Sequence, residues 1–280
     1  MVEQIVGTMV GRWYVVAFGV VFLVVARAHL GTRLMVIYAA VALAVGSLAE
    51  NGSVLWGFPY TSYSFNPDLR GKELWIGEVP LMVPMCYAFL AYFAFAAARL
   101  VVSGPYSTRG RQPVLEYLLA VVLATWALWI IDPVSRLGRY HLLGELFEYD
   151  GPGFWFGLPL GSQVGFFCTS GILIGMLSLM MRDEPTVAVR GLLRHPRLPA
   201  LVTYVVQVAF MAGAAALVAR REEGEVATVA DALAGASLII AVPMILLTVI
   251  HWRALPRPAE DGPRKVEHAS PLVEAPDDSS

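Results

Sequence analysis

Glu50, Glu78 and Asp132 each stand where a long apolar run meets a polar segment. An ionisable residue at the margin of a membrane helix is costly and marks a functional position. The plainer role is a solvated residue of the headgroup zone or a helix cap, as for Glu78 just before Val79-Pro80. The polar segments beside these carboxyls are dense in rings: Trp56, Phe58, Tyr60, Tyr63, Phe65 and Trp75 in the first, Tyr140, Phe147, Tyr149, Phe154, Trp155 and Phe156 in the second. Such rings form interfacial belts, and their faces also stabilise a passing cation. A carboxyl group in apolar surroundings keeps its proton closer to neutral pH and can serve as a general acid. Carboxyls and rings together point to chemistry that starts with protonation and passes through a cation.

The elements that must position these groups are membrane helices. The chain is 57% hydrophobic and 15% charged, with a mean hydropathy of +0.63, well above the roughly half-apolar content of soluble domains. A crossing needs about 20 mostly apolar residues, and runs near 13–28, 33–50, 79–101, 114–131, 163–181, 198–219 and 231–252 meet that need with their flanks. The expected fold is therefore all-α, a polytopic integral membrane protein of about seven transmembrane helices. Residues 1–253 read as a single transmembrane catalytic domain and 254–280, rich in Pro, Ser and charge, as a disordered polar tail. Gly and Pro in GFPY (57–60), in PLMVP (80–84) and in GPGFWFGLPLGSQVGF (151–166) imply re-entrant or structured polar loops after spans two and four. The first run lacks a small-residue cleavage pattern and reads as a retained span.

Thirteen of the 20 Lys and Arg residues fall in the loops after spans one, three and five and in the tail. That bias predicts an inner-membrane protein with its N-terminus outside and C-terminus inside. A net charge of −2 argues for no nucleic-acid partner. Cys86 and Cys168 lie within apolar runs, and His29, His141, His195, His251 and His268 are scattered, so no metal-ligand spacing is present. The sequence also carries no phosphate-binding loop, nucleophile elbow or DDxxD-like cluster. The expected cofactor complement is none.

Glu50-Asn51, GFPY at 57–60 with Tyr63, GEVPLMVP at 77–84, Asp132-Pro133 and FGLPLGSQVGF at 156–166 form an ordered set. In that set the chain resembles the carotenoid biosynthesis membrane proteins, whose characterised members are carotenoid hydratases of the bisanhydrobacterioruberin and 1',2'-hydratase type. The resemblance spans roughly residues 34 to 180. It implies that Glu50, Glu78 and Asp132 supply the acid and water-orienting bases, that Tyr60, Tyr63 and Phe156 stabilise the cation, and that Asn51, Ser162 and Gln163 hold the water. A lipophilic carotenoid or other isoprenoid would enter from the lipid bilayer. The chain departs from the pattern at Thr61 (for Gly), Leu128 (for Asp), Ser162 (for Asn) and Phe166 (for Trp). The missing acid and amide keep a terpenoid cyclase or isomerase, which uses the same protonation without water capture, as the alternative. A non-enzymatic seven-span transporter or sensor is a further one, although no paired broken segments in related halves are visible.

Overall fold

The computed structural model describes residues 1–108, 112–140, 146–151, 153–184, 187–189 and 191–255. The tail expected over 254–280 lies outside the described residues from 256 onward, as do His141 and His268. Six helices among the described residues are long and apolar enough to cross a bilayer. They are α2 (Trp13–Trp56), α3 (Met82–Ser103), α4 (Pro113–Arg136), α5 (Leu160–Met180), α6 (Leu198–Arg221) and α7 (Gly224–Ala254), preceded by the short α1 (Val2–Gly11). The protein is an all-helical polytopic membrane protein.

At 44 residues, α2 is about twice the length of one crossing. It breaks at Gly31, whose φ of 75° and ψ of 161° form a conformation essentially reserved for glycine. The rings of Phe22 and Tyr38 are 6.3 Å apart, whereas a straight helix would set two residues so spaced about 24 Å apart. The chain therefore reverses at Gly31, and the halves of α2 are the two crossings expected at 13–28 and 33–50. With this hairpin the six long helices make seven crossings.

α3 is central, packed against α2, α4 and α6. Ala91, Ala94, Ala96, Ala97 and Ala98 are all buried there, and small side chains let helix backbones approach closely where lipid offers no hydrophobic drive. α7 lies outermost, with Ile239, Leu247 and Ile250 exposed, a surface suited to hydrocarbon rather than water.

The loops at one face are built, not slack. β1 (Tyr63–Phe65) pairs antiparallel with β4 (Phe147–Tyr149), setting Tyr63 opposite Tyr149 and Phe65 opposite Phe147. β2 (Trp75–Ile76) turns back on β3 (Val79–Pro80). α1 docks here too: the Leu74 amide donates to Thr8 Oγ1 at 2.8 Å. At the opposite face, Glu184 joins several elements, accepting from Arg99 at 2.7 Å, Arg197 at 2.5 Å and His29 at 3.3 Å. Arg99 also donates to Glu116 at 3.0 Å. Charges this buried are tolerated because they are paired.

Candidate active site

Glu50 lies near the end of α2, and its side chain is buried. Tyr87 of α3 donates its hydroxyl to Glu50 Oε1 at 2.5 Å. The Tyr63 hydroxyl from β1 donates to Oε2. Both oxygens of this carboxyl are thus oriented by phenols from separate elements. Tyr60 packs beside Tyr87 with nearly parallel rings, 16° between planes and 6.5 Å between centroids. It is anchored by its amide to Ser53 Oγ at 2.9 Å and by its hydroxyl to Thr169 at 2.8 Å. The approach requires Gly165 on α5, where a Cβ would stand 2.5 Å from both the Pro59 carbonyl and the Tyr60 ring.

Asp132 projects from α4, one turn from its end, and lines the same cavity as Glu50, Tyr60 and Tyr63. It is half-buried and makes no hydrogen bond to any described residue. The walls enclose a cavity of about 100 Å³. Phe18, Phe89, Leu90, Leu128, Phe166 and Met211 make most of the wall apolar. The aromatic strands β1 and β4 form its roof, with Tyr63 and Tyr149 rings 5.2 Å apart. Burial, and then the Glu50 charge, push the hydroxyls of Tyr60 and Tyr63 up, so they stay donors. Burial does the same to Tyr149.

The structure brings together Glu50, Asp132, Tyr60 and Tyr63, and it separates the other residues expected at the site. Glu78 is exposed and ion-paired with Arg70. Asn51 does structural work: its Nδ2 donates to the Ser47 and Ile76 carbonyls at 2.8 and 3.1 Å, and its Oδ1 accepts from the Glu78 amide at 2.8 Å. That clamp points the Asn51 amide at the β2–β3 turn rather than at the cavity. Phe156 packs against Trp155 at 4.8 Å and offers its carbonyl to Arg136 at 3.2 Å. Ser162 donates to the Pro159 carbonyl at 2.7 Å and bonds the Tyr149 hydroxyl, and it does not itself line the cavity. Gln163 is buried but does not line the cavity.

Several residues that line the cavity were not anticipated from sequence as site residues, among them Tyr87, Tyr149, Ser135, Arg12 and Gln207. Tyr87 carried a signal, since a hydroxyl within an apolar run needs a partner when buried. Arg12 gave none, because its pairing with Glu73, at 3.0 and 3.3 Å through two nitrogens, joins the head of the chain to a distant loop.

Residues 10–242 match a protein family described as carotenoid biosynthesis protein. No curated protein and no solved structure matches the chain.

Proposed function

We propose, from the premise that this chain belongs to the carotenoid biosynthesis protein family, that it adds water across a carbon–carbon double bond of a carotenoid or related isoprenoid. One observation carries the reading: two carboxyls line one apolar cavity, one held by two tyrosines and the other without a hydrogen-bond partner among the described residues.

Asp132 is the proton donor. An unpartnered carboxyl in an apolar wall costs least as the neutral acid. Its proton forms a new C–H bond at the less substituted alkene carbon, leaving a tertiary cation. The faces of Tyr60, Tyr63 and Phe166 surround that charge. Glu50, fixed by Tyr63 and Tyr87, takes a proton from the water whose oxygen bonds to the cation. The proton returns from Glu50 to Asp132 across the cavity, and the net change is addition of one water. The chain is then a hydro-lyase working in reverse. By the distribution of Lys and Arg, the cavity face is the outer one.

Leu128, which lines the cavity, favours a second reading. Where the family resemblance calls for an Asp, an alkyl group offers water no partner, so the cation would instead lose a proton to Glu50 or cyclise. Co-expression with a pathway supplying acyclic carotenoids such as lycopene, followed by mass spectrometry of the lipids, separates the two. A product heavier by one water supports hydration. A product of unchanged mass and altered retention supports the isomerase or cyclase, and no product from lycopene or shorter isoprenoids overturns both.

A further inference from the structure

α1 turns its apolar side away from the protein. At about 100° per residue, Gln4, Gly7, Thr8 and Gly11 fall along one side of this helix and Val2, Ile5, Val6, Met9 and Val10 along the other. The small and polar side is the docked one. Thr8 is 1% exposed, and its Oγ1 accepts from the Leu74 amide at 2.8 Å. A Cβ on Gly7 would collide with the Lys72 carbonyl oxygen, and one on Gly11 would stand 3.6 Å from Glu73 Oε1, so glycine lets the helix lie directly on the 72–74 loop. The apolar side is left bare, its five residues 41 to 75% exposed. A helix on a water-covered surface has the opposite order, with apolar residues against the core and polar ones outside.

The neighbouring chain indicates what covers that side. The helix breaks at Arg12, where φ is −119° and ψ is 34°, and the chain resumes as α2 at Trp13, which is itself 50% exposed. Tryptophan is enriched where a membrane helix meets the water interface. Farther along, Val20, Val21, Leu23 and Val24 are exposed on a helix of crossing length, and so face hydrocarbon. The bare side of α1 thus continues, along the chain, into a surface that lipid covers. Glu3 is the only charged side chain of the ten, and it lies at the border between the two sides. A second copy is a poor occupant: a helix of ten residues is about 15 Å long and ~10 Å wide, which offers far less than the ~800 Å² per partner of a stable protein interface.

We infer that α1 is an interfacial membrane helix whose apolar side seats in the headgroup–acyl boundary of the leaflet on the cavity side. Its partner is lipid. The junction in which it ends lines the cavity through Arg12, Tyr14, Val15 and Phe18, so this helix brings the bilayer surface to the cavity wall. The inference concerns where the chain meets lipid and does not depend on which reaction the cavity performs.

The test places one nitroxide label at a time on the full-length protein in phosphatidylcholine vesicles, through Val6→Cys or Met9→Cys. Asp68→Cys, at an exposed position of the loops on the same face, gives the aqueous reference. The background carries Cys168→Ala because Cys168 is exposed. It keeps Cys86, which faces a cavity of about 100 Å³, smaller than the label itself. Oxygen, which concentrates in lipid, should relax the two labels on the helix more than a water-soluble nickel chelate does, and the order should reverse at the reference position. Stronger relaxation by the nickel chelate at both helix positions would put α1 in water and overturn the inference. Spin–spin broadening that fades on dilution with unlabelled protein would make the occupant a second copy and overturn it equally, as would helix labels that neither reagent reaches. Should Cys168→Ala not fold, Cys168→Ser takes its place.

Discussion

The Tyr87 hydroxyl donates to Glu50 Oε1 at 2.5 Å, across 37 positions of chain, and so ties the end of α2 to the start of α3. With Tyr63 on the other oxygen, Glu50 has no freedom to turn, whereas Asp132 across the cavity has no such partner. In the proposed mechanism, this asymmetry is what distinguishes the base from the acid. Asp132→Asn and Glu50→Gln should each lower turnover by at least about 10²-fold, the usual worth of a positioned acid or base. Both variants should still enter the membrane. Product ratios in the co-expressing strain check this, and wild-type ratios in both would remove the two carboxyls from the mechanism.

Tyr87→Phe leaves Glu50 Oε1 bare in an apolar wall without opening a large cavity. The expected loss of stability is about 1–3 kcal/mol, the cost of an unsatisfied buried group. Thermal unfolding in detergent measures it, and Tyr63→Phe should behave alike through Oε2.

Glu78→Gln should leave turnover unchanged and alter stability by no more than about 0.5 kcal/mol, as for most exposed positions. The exposed pair with Arg70 contributes little. A large loss of turnover would return Glu78 to the site.

Glu184 sits outside the spans at the opposite face. Burial opposes its charge, but the His29 hydrogen bond and the Arg197 and Arg99 charges outweigh it and lower its pKa from 4.5 to about 2. A depressed carboxyl stabilises the fold above its unfolded pKa and ceases to do so as pH falls through its folded one. The advantage of wild type over Glu184→Gln should therefore be full above 4.5 and fade as pH falls to about 2. At neutral pH, removing this partner of two buried arginines should cost about 3–5 kcal/mol. Unfolding measured across that pH range is the check.

Gly31→Ala forces a side chain into φ 75°, ψ 161°. The expected cost is about 1–3 kcal/mol from backbone strain, read as a lower midpoint of thermal unfolding. An unchanged midpoint would mean that the hairpin reverses at another residue.

The crossings were legible in the sequence because hydrocarbon leaves a backbone no other course: each polar peptide group must be satisfied within its own helix, so an apolar run of sufficient length declares itself. Even the division of α2 into two crossings was visible, since the polar interruption between the runs at 13–28 and 33–50 coincides with Gly31. The carboxyls at span ends stood out for the same reason, being expensive where they are. Tertiary structure alone decided which polar side chains face one another. Asn51 follows Glu50 in the chain, yet its amide clamps the β2–β3 turn while Glu50 lines the cavity, because adjacent residues on a helix point about 100° apart. Glu78 is turned outward by the register of a two-residue hairpin, and hydropathy contains no information on that. Tyr87, Arg12 and Gln207 reach the cavity from α3, the α1–α2 junction and α6, brought together only when buried small residues and paired charges lock the helices side by side.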